Sequence, residues 1–244
     1  MPLEPYDQVP APHGEREERV ARRVQRRWWV FSALGVIGVA LLLGVVVTVR
    51  GGGLVRLDES FMAGLVDRRG PLWDGPALFF DTFGAGVVGV FVVPLVVAAL
   101  LLLHRRPWGA LYWVLASAVS AGVVQVLKNV LGRSRPDDIL VSADFGSFPS
   151  GHTANAATIA VVLGVLLRRT WVWVLGALYV VAMLLSRTYL GAHWLTDTIG
   201  GTLVGVGVSV VLLAPFAHRV LRERGAPWIW RSPDRGSQAG VSAR

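Results

Sequence analysis

Long apolar runs separated by short polar stretches dominate this chain. Trp28 to Val49 gives 22 residues without a charge, Gly84 to Leu103 gives 20, and Pro107 to Leu127 gives 21. About 20 apolar residues cross a bilayer as helix, the form in which every backbone N–H and C=O finds a partner inside the segment. Three further runs, 152–167, 170–185 and 194–217, are shorter or carry one polar group, Asp197 near the start of the last. The pattern predicts an all-α polytopic membrane protein with six transmembrane helices. Between the first two runs, residues 50–83 are longer than a connector needs. There Leu57, Phe61 and Leu65 recur at helical spacing, with Asp58, Glu59, Asp67 and Arg68 on the other positions. That spacing predicts a short amphipathic helix lying in the interface. Gly201 and Gly205 place small residues four apart on the last run, which supports close helix packing.

Composition sharpens this picture. At 244 residues, 53% hydrophobic and 16% charged, the chain fits one membrane domain over 28–218. A proline-rich, mixed-charge stretch makes 1–27 a disordered cytoplasmic tail, and 219–244 a second tail. The net charge of +8 could suggest nucleic acid, but its distribution argues otherwise. If six helices alternate, 16 basic residues fall on one side and 8 on the other. Arg105-Arg106 and Arg168-Arg169 then fill two tight turns on the basic side. This is the positive-inside pattern, which predicts a plasma-membrane protein with both termini cytoplasmic and the loops after spans one, three and five outside. No cysteine is present, so neither a disulfide framework nor thiol chemistry is available.

Three short polar motifs interrupt the apolar pattern, each at the end of a run and, by parity, all at the same face. They are Lys128…Arg135-Pro136, Pro149-Ser150-Gly151-His152 and Ser186-Arg187…His193…Asp197. Lys128 is the single lysine in a chain with 23 arginines, which marks a position that needs an ammonium. His193 and Asp197, four apart, share a helical face, so the carboxylate can accept from one imidazole nitrogen and leave the other as a nucleophile. Taken alone, the pair is equally a structural contact at a helix end. A carboxylate at the edge of a span is costly, which favours function. Pro149-Ser150-Gly151-His152 opens a helix, where free N–H groups favour an anion and His152 could donate a proton to a departing oxygen. Alone, this tetrapeptide is also a plain helix cap. Lys128, Arg135 and Arg187 supply fixed cations of the kind that stabilise a transferring phosphoryl group. Arg133 and Asp137 stay with the snorkelling residues common at span ends.

In this order the motifs Lys-x6-Arg-Pro, Pro-Ser-Gly-His and Ser-Arg-x5-His-x3-Asp resemble the three signatures of the type-2 phosphatidic acid phosphatase superfamily, with all eleven positions matched across about 70 residues. That superfamily includes membrane lipid phosphatases and soluble vanadium haloperoxidases, and the six-run layout resembles the membrane branch. The resemblance implies that His193 attacks phosphorus to form a phosphohistidine, with Asp197 orienting it and His152 protonating the leaving group. Lys128, Arg135 and Arg187, with Ser150 and the Gly151 backbone, would hold the phosphate, with no metal and no cofactor. The expected partner is a lipid phosphate or pyrophosphate in the bilayer, undecaprenyl pyrophosphate first, then phosphatidic acid or phosphatidylglycerol phosphate. The alternative from another class is a phospholipid or anion carrier using the same residues. The paired histidines, and the absence of a polar path through the other runs, stand against it. Oligomeric state is left open.

Overall fold

The computed structural model describes residues 13–50, 52–84 and 86–223; the end segments 1–12 and 224–244 lie outside the described residues. Among the described residues every regular element is helical. Helix α1, His13–Val45, closes in a π-helical turn, Val46–Arg50. It begins inside the stretch expected to be a tail, so 13–27 are helical here.

Helix α2, Gly53–Val66, is the amphipathic helix that the spacing of 57, 61 and 65 predicts, but it is turned. Asp58 is buried and Leu57 is 47% exposed. Asp58 faces inward because it meets a buried arginine there, described below, while Glu59, Asp67 and Arg68 stay exposed.

The second expected span differs more. Helix α3, Pro71–Gly84, is joined through a π-helical turn, Val88–Val92, to α4, Val93–Leu103, with a bend of 43°. Residues 71–83, expected as outward loop, are therefore helical. Asp74 and Asp81 interrupt the apolar pattern there, so hydropathy alone could not join the two halves. The break is held by Asn155, whose side-chain amide donates to the carbonyls of Gly84 and Gly89, both at 3.1 Å. Those carbonyls would otherwise be left unpaired where the ladder opens.

Helix α5, Pro107–Leu131, has proline at its first turn and ends at Gly132 with φ +54, the left-handed stop that glycine adopts without cost. Helices α6, Gly151–Leu167, α7, Thr170–Tyr189, and α8, Leu195–Glu223, complete the chain. Arg105 and Arg168 carry positive φ in the two expected tight turns. Among the described residues, four helices are long and apolar enough to cross a membrane, in α1, α5, α7 and α8, and a fifth if the bent α3–α4 pair is one span. The apolar helix α6 has 17 residues, at the short end of a spanning length. The structure thus gives four or five spans by length where the sequence pattern predicts six.

Helix α8 is the centre of the bundle, packed against α1, α5 and α6; α7 lies on α6, α3 on α7 and α4 on α5. Large apolar side chains such as Leu95, Leu103, Val130, Trp171 and Leu178 point outward. Inside, Tyr112, Trp113, Phe148 and Met183 pack among small and hydroxyl side chains, as in the buried Thr158–Ser120 hydrogen bond at 3.1 Å. A Cβ on Gly201 would stand 2.3 Å from the Ser150 carbonyl, and one on Gly205 would stand 2.3 Å from that of Ala154. Both glycines are required for α8 to touch α6. Lys128 in the last turn of α5, Gly151 at the start of α6, Arg187 in the last turn of α7 and His193 just before α8 all come to one end of the bundle.

Candidate active site

His193 lies between α7 and α8 and is 2% exposed. Its Nδ1 is 2.7 Å from the Ser147 carbonyl oxygen. A carbonyl only accepts, so Nδ1 carries the hydrogen and the neutral ring keeps a bare lone pair on Nε2. Nε2 lies 3.5 Å from Nη1 of Arg135. Burial, then the charges of Arg187, Arg135 and Lys128, hold the imidazole well below its ordinary pKa of 6.5, so it is neutral at physiological pH. One unprotonated nitrogen thus faces a field of three fixed cations.

Each cation is aimed by a distinct element. Lys128 Nζ, on α5, donates to both carboxylate oxygens of Asp144 at 2.7 and 2.8 Å. Arg135, in the loop between α5 and α6, donates from Nη2 to Asp144 Oδ1 at 2.6 Å and to the Gly146 carbonyl at 2.9 Å. Its Nε donates to the Asp144 carbonyl at 3.0 Å and its Nη1 to the Ala192 carbonyl. Burial pushes the Asp144 carboxyl up, but Lys128 and then Arg135 outweigh it and hold it below the usual carboxylate range. Gly146, at φ +71, lets this loop lie against Lys128, whose carbonyl would be 2.9 Å from a Cβ there. Arg187, on α7, pairs with Asp81 of α3.

His152, in the first turn of α6, has Nε2 3.2 Å from the Asp81 backbone carbonyl and 3.6 Å from its Oδ1. Ser150 is the N-cap of that helix, with its amide donating to the Asp197 carbonyl at 2.9 Å. Its Oγ and Nε of Arg187 are buried and lack a hydrogen-bond partner in the protein. Groups of this kind cost free energy unless something polar meets them, and a phosphate oxygen is such a group. Gly151 opens α6 beside them.

Asp197 stands in the first turn of α8 and is fully buried. The expected hydrogen bond to His193 is not formed: Oδ2 is 3.7 Å from Nδ1. His193 precedes the helix that begins at Leu195, so the spacing rule that places residues four apart on one face does not reach it. The carboxylate is otherwise engaged, with Oδ2 accepting from the Trp194 amide at 2.9 Å and Oδ1 bonded to Arg133 Nη1 at 2.5 Å. The tautomer of His193 is set by Ser147 instead, and Asp197 supplies charge from slightly farther away.

Comparison with known proteins gives the family. Residues 109–220 match the PAP2 superfamily. The chain is 32% identical over 146 residues to phosphatidylglycerophosphatase B of Bacillus subtilis, covering 55% of this chain and 71% of that protein. It belongs to the PAP2 superfamily. The chain is also 32% identical over 144 residues to an undecaprenyl-diphosphatase of Sulfolobus acidocaldarius, covering 56% and 67% of the two. The crystal structure of a transmembrane PAP2-type phosphatidylglycerolphosphate phosphatase from Bacillus subtilis superposes with a TM-score of 0.66 at 25% identity, over 77% of this chain and 96% of that one. Like these relatives, this PAP2 protein is a membrane lipid phosphatase.

Several groups of this PAP2 site escape the motif pattern. Arg133, read as a snorkelling anchor, is 7% exposed and bonds Asp197, Thr196 Oγ1 at 2.8 Å and Asp58 Oδ2 at 2.7 Å. Asp58 also accepts from the Thr196 amide at 2.9 Å and hydroxyl at 2.6 Å. Asp58, Asp81 and Asp144 are carboxylates outside every motif, yet each meets a site arginine. No local spacing marks these pairings, because Asp58 and Asp81 meet arginines on other elements and Asp144 meets Arg135 across an irregular loop.

Proposed function

We propose that this phosphatase hydrolyses a lipid phosphate or diphosphate at the extracytoplasmic surface through a phosphohistidine on His193, with undecaprenyl pyrophosphate as first substrate. The observation that carries this reading is the Ser147-bound imidazole, neutral and with its Nε2 lone pair free, set among Lys128, Arg135 and Arg187. Nε2 attacks phosphorus and the bond to the lipid-side oxygen breaks. His152 passes a proton to that oxygen. The phosphorylated ring becomes cationic, and the Ser147 carbonyl and the nearby Asp197 carboxylate stabilise it. Water then gives a proton back to His152 and attacks phosphorus, breaking the N–P bond, releasing phosphate and regenerating the imidazole. Lys128, Arg135 and Arg187, with Ser150 Oγ and the first N–H groups of α6, hold the equatorial oxygens throughout. No metal takes part in these steps.

Three fixed cations suit a highly charged headgroup, which favours a diphosphate, and one relative is an undecaprenyl-diphosphatase. Phosphatidylglycerol phosphate is the second reading, supported by the two Bacillus subtilis relatives named for that activity. Phosphatidic acid is a third substrate of the same kind. The deciding measurement is inorganic phosphate release by the purified protein in EDTA from all three lipids side by side. Release without metal supports the mechanism, and the ranking of kcat/KM selects the substrate. Activity that vanishes in EDTA and returns with a divalent cation would overturn the metal-independent reading.

A further inference from the structure

Lys128 and Arg135 are bridged by a carboxylate that no motif includes. Asp144 Oδ1 lies 2.7 Å from Lys128 Nζ and 2.6 Å from Arg135 Nη2, and Oδ2 lies 2.8 Å from the same ammonium. Two oxygens on one centre, spanning an ammonium and a guanidinium, reproduce part of how a phosphate would sit there.

The remaining donors of Arg135 have little freedom. Nε, one Nη1 hydrogen and the second Nη2 hydrogen go to the backbone carbonyls of Asp144, Ala192 and Gly146, and Nη1 also lies 3.5 Å from His193 Nε2. Those bonds shape the loop around the site. The exchangeable contact is the one to the Asp144 carboxylate, whose side chain is 55% exposed while that of Lys128 is 5% exposed. An exposed, single-residue anion can swing out; a buried lysine and a backbone-tied arginine cannot.

We propose that Asp144 is a tethered competitor, an affinity-setting residue whose carboxylate occupies the Lys128–Arg135 subsite and must be displaced by the phosphate of the substrate. This rests on the reading that those two cations hold phosphate. The consequence concerns the membrane surface, where singly charged phosphodiester headgroups of ordinary phospholipids are abundant. A cationic pocket at that surface binds them too. Tethered competition divides the apparent affinity of every anion by the same factor, because only the fraction of protein with Asp144 displaced is competent to bind. Weakly held phosphodiesters drop below occupancy, while a doubly or more highly charged phosphate monoester or diphosphate still binds.

The test compares wild type with Asp144→Asn and, as a second variant, Asp144→Ala. Competitive inhibition constants are measured at mildly alkaline pH for inorganic phosphate, a dianion there, and for dibutyl phosphate, a monoanion. Both inhibition constants are expected to fall by the same factor in either variant, roughly ten-fold for loss of a charge-assisted contact of this kind. In mixed micelles, phosphatidylglycerol should inhibit the variants at mole fractions that leave wild type unaffected. Unchanged constants would overturn the proposal. So would a clearly larger gain for the dianion than for the monoanion, since that is the signature of a nearby charge acting through space rather than of a competitor. Adding Lys128→Ala to Asp144→Asn separates the two readings. Inhibition constants that rise again place phosphate on Lys128; constants that stay low show that the ammonium does not hold it, whatever Asp144 does.

Discussion

At the scale of single residues, the proposed chemistry depends on keeping one imidazole neutral inside a cluster of positive charge. Burial and three cations do this for His193, and the Ser147 carbonyl decides which nitrogen is bare. His193→Ala should therefore reduce phosphate release by at least about a thousand-fold while leaving the thermal unfolding transition in detergent unmoved. Near-normal turnover would show that another group attacks phosphorus. The pH dependence follows with its sign. A lowered pKa keeps the nucleophile active into acid, so the acid limb of kcat/KM, which reports the free protein, lies below the ordinary histidine value. Lys128→Ala removes one of the charges that depress it, leaving Arg135, Arg187 and Asp197 nearby. The limb should then move to higher pH, together with a raised KM. A limb that stays in place would mean that a different group titrates there. The motif residues were legible because their types and spacing are dictated by phosphoryl chemistry. Asp58, Asp81 and Asp144 were not, since their partners are 75, 106 and as few as 9 residues away in the chain and nothing local marks the pairing.

At the scale of elements, two contacts set the site. The first is the buried group Asp58–Arg133–Asp197, which ties α2 and the loop after α5 to the start of α8. Two carboxylates share one guanidinium there, and the Trp194 ring covers it with its centroid 5.6 Å away. Arg133→Ala leaves both carboxylates buried without a counter-charge and should cost about 3–5 kcal/mol. Arg133→Lys should recover little, because a single ammonium cannot reproduce a fork that reaches Asp58, Thr196 and Asp197 together. Thermal unfolding in detergent reads both, and a loss under about 1 kcal/mol would return Arg133 to the role of a surface anchor. The second contact is α6 on α8. Gly201→Ala drives a Cβ into the Ser150 carbonyl and should displace the N-cap, with kcat/KM falling about a hundred-fold for a shift near 1 Å. Gly205→Ala meets Ala154 one turn farther from the site and should cost stability of about 1–3 kcal/mol with a smaller effect on rate. Equal rate losses in the two variants would mean that packing, not the cap, governs activity. The small-residue pair was legible as a packing signal, whereas the bend at Gly84–Gly89 was not. It depends on Asn155, about 70 residues away, which pairs the opened carbonyls.

At the scale of the whole molecule, large apolar side chains cover the outside as well as filling the core, and the charged cluster is gathered at one end where the helix termini meet. On the proposed function, such an arrangement would put the phosphate subsite at the depth of lipid headgroups, with the tail of the substrate left in the bilayer. It also makes sidedness decisive, because the phosphate must be presented on the face where Lys128, His152 and His193 lie. Basic residues are concentrated toward the opposite end, with Arg105-Arg106 in the turn before α5 and Arg168-Arg169 in the turn after α6. The positive-inside tendency predicts that those turns are cytoplasmic and that the site faces outward. The chain has no cysteine, so single cysteines can report this directly. Ser142, exposed in the loop that carries Asp144, and Arg169, exposed in the turn at the other end of α6, are suitable positions. In intact cells a membrane-impermeant maleimide should label Ser142→Cys and spare Arg169→Cys until the membrane is opened. The reverse pattern would place the site in the cytoplasm. It would then restrict the substrate to lipids whose phosphate is made and consumed on the inner leaflet, excluding a diphosphate released outside.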